Sequence, residues 1–140
     1  ADSPERKQAR MASIDAIQHD GAEGLWRIMQ PVVAGDAVSN ELRERIRELA
    51  LAQPPDGLIR AVRAIRDRPD STDVVRELRV PFLVVTGDRD PINPVDYARS
   101  LAADAPDGEA VVFEQTGHLP SFERPDVFSE KLRELVGRLG

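Results

Sequence analysis

Val80-Pro81-Phe82-Leu83-Val84-Val85-Thr86-Gly87-Asp88-Arg89-Asp90-Pro91-Ile92-Asn93-Pro94 is the stretch that decides the fold class of this chain. Its first seven residues form a near-continuous apolar run without alternation. A strand with one wet face alternates, so this run predicts a strand buried on both faces, as in the middle of a parallel sheet. Gly87 ends it. Asn93-Pro94 reads as a cap and first-turn pair that opens a helix to about Ala103. Pro106-Asp107-Gly108 turns the chain, and Ala110-Val111-Val112-Phe113 follows as a second short buried strand. Gly117-His118-Leu119-Pro120 reads as a loop. Pro125 opens a last helix, with Phe128, Leu132, Leu135 and Leu139 on one stripe. Strand, helix, strand is a βαβ unit, almost always a right-handed crossover between parallel strands.

Outward from this half, the chain divides near residue 70. Ser71 reads as the cap of a short helix carrying Val74, Val75 and Leu78. Residues 1–70 read as helices throughout. Asp2 or Ser3 caps a first helix, with Pro4 in its opening turn, running to about His19. A shorter helix covers Gly24 to Gln30 and stops before Pro31. The next spans about Asn40 to Leu51, with Leu42, Ile46 and Leu49 on one face. Another runs from Gly57 to about Arg66, with Leu58, Val62 and Ile65 at the same spacing. Gly35, Pro54-Pro55 and Pro69 supply the breaks. No internal repeat or low-complexity tract is present.

The bulk numbers restrict the function classes. With 140 residues, 41% apolar and 31% charged, the chain reads as one soluble globular piece. The absence of cysteine excludes a disulfide scaffold, thiolate catalysis and a Cys-based zinc site, and fits a cytoplasmic protein. A net charge of −6 argues against a general nucleic-acid surface. Arginines alternate with acids, as in Glu41-Leu42-Arg43-Glu44-Arg45, a pattern of solvated helix faces with pairs three and four apart. No stretch approaches a membrane span. The first residue is not Met, and the opening Ala1-Asp2-Ser3-Pro4-Glu5 has no signal-peptide apolar region, so a trimmed, processed or partial chain is expected.

Ligands of open parallel sheets sit at the carboxyl ends of the strands. Two loops leave those ends, 87–94 and 114–118, and neighbouring strands would bring Asp90 and His118 to one edge. A carboxylate beside an imidazole fixes its tautomer and stabilises the imidazolium. Each residue also has a plainer use. Asp88 or Asp90 can simply cap a turn or the next helix, and a lone loop histidine can be structural. His19, near a helix end with no such loop beside it, reads as structural.

Taken together, the two loops resemble those of the α/β-hydrolases. Residues 80–94 look like the late strand and acid loop of that family. Thr116-Gly117-His118-Leu119-Pro120-Ser121-Phe122-Glu123-Arg124-Pro125 looks like its histidine loop and the opening of its final helix. The resemblance places the triad acid on Asp90, the third residue after the strand-ending Gly, and the base on His118; Asp88 is then a loop residue. The helical half resembles the cap inserted after the sixth strand in enol-lactonase and esterase-like members, with 57–73 similar to the helix leading back to the core. The likeness is most specific at 80–94 and 116–125, and least so across 1–56.

The resemblance implies an α/β fold, specifically the C-terminal portion of an α/β-hydrolase. Residues 1–70 would be the cap or lid, and residues 71–140 the C-terminal part of the core with an incomplete sheet. The implied chemistry is hydrolysis of a small carboxylic ester or lactone by a Ser-His-Asp triad, with no cofactor and no metal. Leu25, Trp26, Ile28 and Met29 would line the acyl pocket, although plain cap packing also accounts for Trp26. The same acid and base serve dehalogenase, epoxide hydrolase, C–C hydrolase and cofactor-free peroxidase chemistry. An inactive interaction module is the non-enzymatic alternative. The family's nucleophile sits on a Gly-x-Ser-x-Gly elbow, and none of Ser3, Ser13, Ser39, Ser71, Ser100, Ser121 or Ser129 has that setting. The chain alone is therefore expected to be inert. Its sheet is expected to be completed by the N-terminal half of the same protein or by a second copy, because bare strand edges invite pairing.

Overall fold

The computed structural model describes residues 1–33 and 38–138. The expected break at Gly35 and the last stripe position, Leu139, lie outside them. Two compact units form: residues 1–31 with 43–70, and residues 32–42 with 71–140. The described residues 32–33 and 38–42 thus group with the second unit, although they precede residue 70.

The first unit is helical. Helix α1 spans Pro4–Val33, α2 Asn40–Leu51 and α3 Pro55–Asp67. Helix α1 departs from the sequence reading, because it continues through Pro31 instead of stopping before it. Pro31 sits in the last turn, where its missing N–H costs the helix one bond at most. The interruption falls at Gly21, whose φ of 64° and ψ of −148° no helical residue adopts. A left-handed φ is open to glycine because it lacks a Cβ. Of the two cap candidates, Ser3 takes the role and Asp2 does not. The Ser3 hydroxyl accepts from the Arg6 amide at 3.3 Å. The Asp2 carboxylate accepts instead from Arg10 Nε at 3.1 Å and from an Arg68 guanidinium nitrogen at 2.8 Å, and its side chain is fully buried.

The core of this unit is Ile14, Ile17 and Val62, with Leu25, Leu58 and Ile59 packed against it. Full burial of a side chain such as Ile17, 1% exposed, contributes about 1.5–3 kcal/mol. Ile46 and Val62 are buried, as the helical spacing predicts. Leu49 and Ile65, from the same stripes, remain 42% and 37% exposed. The expected charge pairing is present on the surface, for example Arg45 with Glu48 at 3.8 Å. Such exposed pairs are worth little.

The second unit carries the βαβ unit. Helix α4 (Thr72–Arg76) follows Ser71, which makes no side-chain cap bond. Strand β1 (Phe82–Gly87) leads to α5 (Val95–Asp104) and strand β2 (Gly108–Phe113). Helix α5 begins one residue later than expected, with Pro94 at the cap position. Gly108 opens β2 and is not part of the turn. The strands pair in parallel, Phe82 beside Gly108 through Gly87 beside Phe113. Helix α5 packs on both strands, burying Ala98 and Ala102. After β2 come a four-residue helix α6 (Pro120–Glu123), which takes up the last residue of the expected 117–120 loop, and α7 (Pro125–Gly137).

Burial of the first strand corrects the sequence reading. Phe82–Val85 are only half-buried, while Thr86 and Gly87 are buried. Among the described residues the sheet holds two strands, so β1 has one hydrogen-bonded neighbour, not two. Helix α7 likewise buries none of its residues, and Leu132 of its apolar stripe is 43% exposed. Among the described residues no helix is long and apolar enough to cross a membrane.

Candidate active site

The site grows from the carboxyl ends of β1 and β2. The Thr86 hydroxyl donates to the Asn93 carbonyl at 2.9 Å, which folds the 87–93 loop back on its own strand. Inside this loop, Asp90 Oδ1 accepts from the Ile92 and Asn93 amides at 2.7 and 3.1 Å. This is the local turn chemistry open to any Asp in such a position. It also fixes the carboxylate, whose side chain is 4% exposed.

The second loop is tied to the first through backbone. The Asp88 amide donates to the Phe113 carbonyl at 3.0 Å, and the Arg89 amide to the Thr116 carbonyl at 2.9 Å. In return Asp88 Oδ1 accepts from the Thr116 amide at 3.1 Å. The amides of Gln115 and Thr116 hold the Asp88 carboxyl below the usual carboxylate range. Gln115 takes a left-handed φ of 53°, which turns the chain out of β2 into the histidine loop. Thr116 is fully buried, and its hydroxyl donates to the Glu114 carbonyl at 2.9 Å.

These ties bring the two sequence-predicted residues together. His118 Nδ1 lies 3.0 Å from Asp90 Oδ2 and 3.1 Å from Oδ1, across 28 positions of sequence. An ionised carboxylate can only accept, so the contact is a hydrogen bond in the tautomer with the proton on Nδ1, which leaves the Nε2 lone pair free. The imidazole is partly open, with its side chain 25% exposed. An acid buried behind a half-open imidazole can support proton transfer at Nε2.

The sequence reading missed Glu123. Its Oε2 accepts from the Gly117 amide at 2.8 Å and its Oε1 from the Leu119 amide at 3.1 Å. One carboxylate therefore bridges the residues on either side of His118. Its signal was available as a Glu near the start of a helix opened by Pro120, reaching back to the amide of the cap residue, much as in a capping box. Asp88, read as a loop residue, is the link between the two loops.

The other residues fall elsewhere. Trp26 is buried, Leu25 packs on the Ile14–Ile17–Val62 cluster, Met29 is half-buried and Ile28 is 44% exposed. All four belong to the helical unit. His19 is exposed on α1, with Nδ1 2.7 Å from Asp20 Oδ1. Among the described residues no group of three or more His, Cys, Asp or Glu could hold a metal ion.

A model described as "Alpha/beta hydrolase family" matches residues 3–131. The chain belongs to the alpha/beta hydrolase family. Its fold is the alpha/beta-hydrolase fold, of which the described residues hold two parallel strands. A thermophilic esterase from Thermogutta terrifontis superposes with a TM-score of 0.90 at 31% identity, covering 98% of this chain and 52% of that one. The pimeloyl-[acyl-carrier protein] methyl ester esterase of Vibrio cholerae is 28% identical over 130 residues, 91% of this chain and 51% of the esterase. The non-heme chloroperoxidase CPO-A1 of Kitasatospora aureofaciens is 32% identical over 100 residues, 71% of this chain and 35% of the peroxidase. This alpha/beta hydrolase chain thus spans about half the length, or less, of these relatives.

Proposed function

We propose that this chain supplies the acid and the base of a Ser-His-Asp hydrolase that cleaves a small carboxylic ester or lactone. The observation that carries the proposal is the placement of both Asp90 oxygens within 3.1 Å of His118 Nδ1. The likeness to two esterases supports the ester class. In this reading the nucleophilic serine lies on the family's other half, which also completes the sheet beside the open strand edge.

The chemistry follows from the tautomer. The serine oxygen bonds to the ester carbonyl carbon while His118 Nε2 takes its proton. Asp90 stabilises the imidazolium so formed. The ester C–O bond then breaks, and the alcohol leaves with the proton from Nε2. Water attacks the acyl-enzyme, again giving its proton to Nε2, and the acid departs as the serine recovers its hydrogen. None of these steps uses a cofactor.

A second reading is cofactor-free peroxidase chemistry with the same acid and base, favoured by the 32% identity to the chloroperoxidase. One assay separates the two. The protein extended through the family's nucleophile half is given a chromogenic short-chain ester, or peroxide with an organic acid and halide. Ester turnover lost in His118→Ala supports the hydrolase. Ester turnover that survives His118→Ala would sink it, and activity confined to the peroxide assay would favour the second reading.

A further inference from the structure

We propose that Glu123 is a positioning residue for His118, acting through the backbone on both sides of the imidazole. This inference rests on the proposed role of His118 as base.

The geometry divides labour among three carboxylates. Asp90 holds the ring at Nδ1, and its own position is fixed by the Ile92 and Asn93 amides. Asp88 holds the start of the loop at the Thr116 amide. Neither fixes the backbone of residues 117–119, from which the imidazole hangs. Glu123 does, with one oxygen on Gly117 and the other on Leu119. It is in turn anchored through its own amide, which donates to the Leu119 carbonyl at 2.9 Å. The arrangement closes a small ring of backbone around His118. Gly117 adds to the fit, since a Cβ there would stand 3.2 Å from Glu123 Oε1.

Hydrogen bonds to an ionised acceptor are roughly twice as strong as neutral ones. A helix start alone could be capped by one oxygen. Use of both oxygens, on amides that flank the base, makes the clamp specific to the place of His118. Its loss should let the imidazole drift from the line between Asp90 and the reacting oxygen. Misplacement of a catalytic group by about 1 Å costs about 100-fold in rate.

The test uses the full-length enzyme with an ester substrate and compares Glu123→Gln, Glu123→Ala and His118→Ala. Gln keeps one acceptor oxygen and Ala keeps none. The expected order of kcat is wild type, then Glu123→Gln about tenfold lower, then Glu123→Ala about 100-fold lower, with KM changed less than about twofold. A graded fall in kcat at constant KM in folded protein supports the positioning role. Three results would overturn it: unchanged kcat in Glu123→Ala, a loss confined to KM, or failure of even Glu123→Gln to fold. If His118→Ala keeps full turnover, the hydrolase reading fails instead, and the Glu123 result no longer bears on it.

Discussion

A Cβ atom added to Gly87 would stand 2.0 Å from the carbonyl oxygen of Thr116 and 2.4 Å from that of Gly117. The last residue of β1 and the histidine loop thus meet backbone against backbone. Only a residue without a side chain permits the Arg89–Thr116 bond and, beyond it, the approach of His118 to Asp90.

Gly87→Ala should therefore force the two loops apart. The clashing atoms are backbone and cannot swing away, so the cost is that of overpacking, about 1–3 kcal/mol. Urea unfolding measures it. Ester turnover by the full-length variant should fall further than stability accounts for, because the proposed acid and base are separated. Wild-type stability in Gly87→Ala would mean that the loops yield freely.

Asp90→Asn keeps the shape of the acid but offers an N–H₂ group to Nδ1. The imidazole then favours the tautomer with its proton on Nε2, where it cannot act as base. If the proposed triad operates, kcat of the full-length protein should fall about 10⁴-fold. Stability should change modestly, because the Ile92 and Asn93 amides can still bond the remaining oxygen. Steady-state kinetics with circular dichroism checks both parts. A loss below tenfold would remove Asp90 from the mechanism.

Acid should loosen the helical unit through Asp2. Burial raises the carboxyl's pKa, but Arg10 and Arg68 outweigh it, and the net value lies below the usual carboxylate range. A depressed folded pKa means stability that is fully present above the unfolded value. It is lost as pH falls through the folded value. The acid limb of a stability–pH curve should be shallower in Asp2→Asn, which is also less stable than wild type at neutral pH. Parallel acid limbs would show that the cluster contributes nothing to acid sensitivity.

The half-covered strands and the exposed face of α7 make a prediction about assembly. Val80, Leu132 and Val136 are 53%, 43% and 63% exposed, and β1 has one partner strand among the described residues. Prepared alone, the chain should self-associate or capture the other half of the fold. Size-exclusion chromatography with native mass spectrometry reads this directly. A stably folded 15.5 kDa monomer would contradict it.

What the sequence made legible follows from the range of the forces involved. The β1 run, the α5 crossover and the loops of Asp90 and His118 were readable because buried strands and turn residues leave local marks. The Asp90–His118 approach was readable because parallel strands bring their carboxyl ends together. Pro31 misled because its effect depends on how much helix remains beyond it. The burial of Phe82–Val85 was overstated because an apolar pattern records what a strand expects to meet, not which neighbours are present. Glu123 went unnoticed because a carboxylate on backbone amides leaves no periodicity.

The Arg68–Asp2 ion pair bridges 66 positions of sequence and brings both ends of the helical unit to one point. Cutting that tie with Arg68→Ala would leave the buried Asp2 carboxylate with Arg10 alone, so the start of α1 should loosen together with the end of α3.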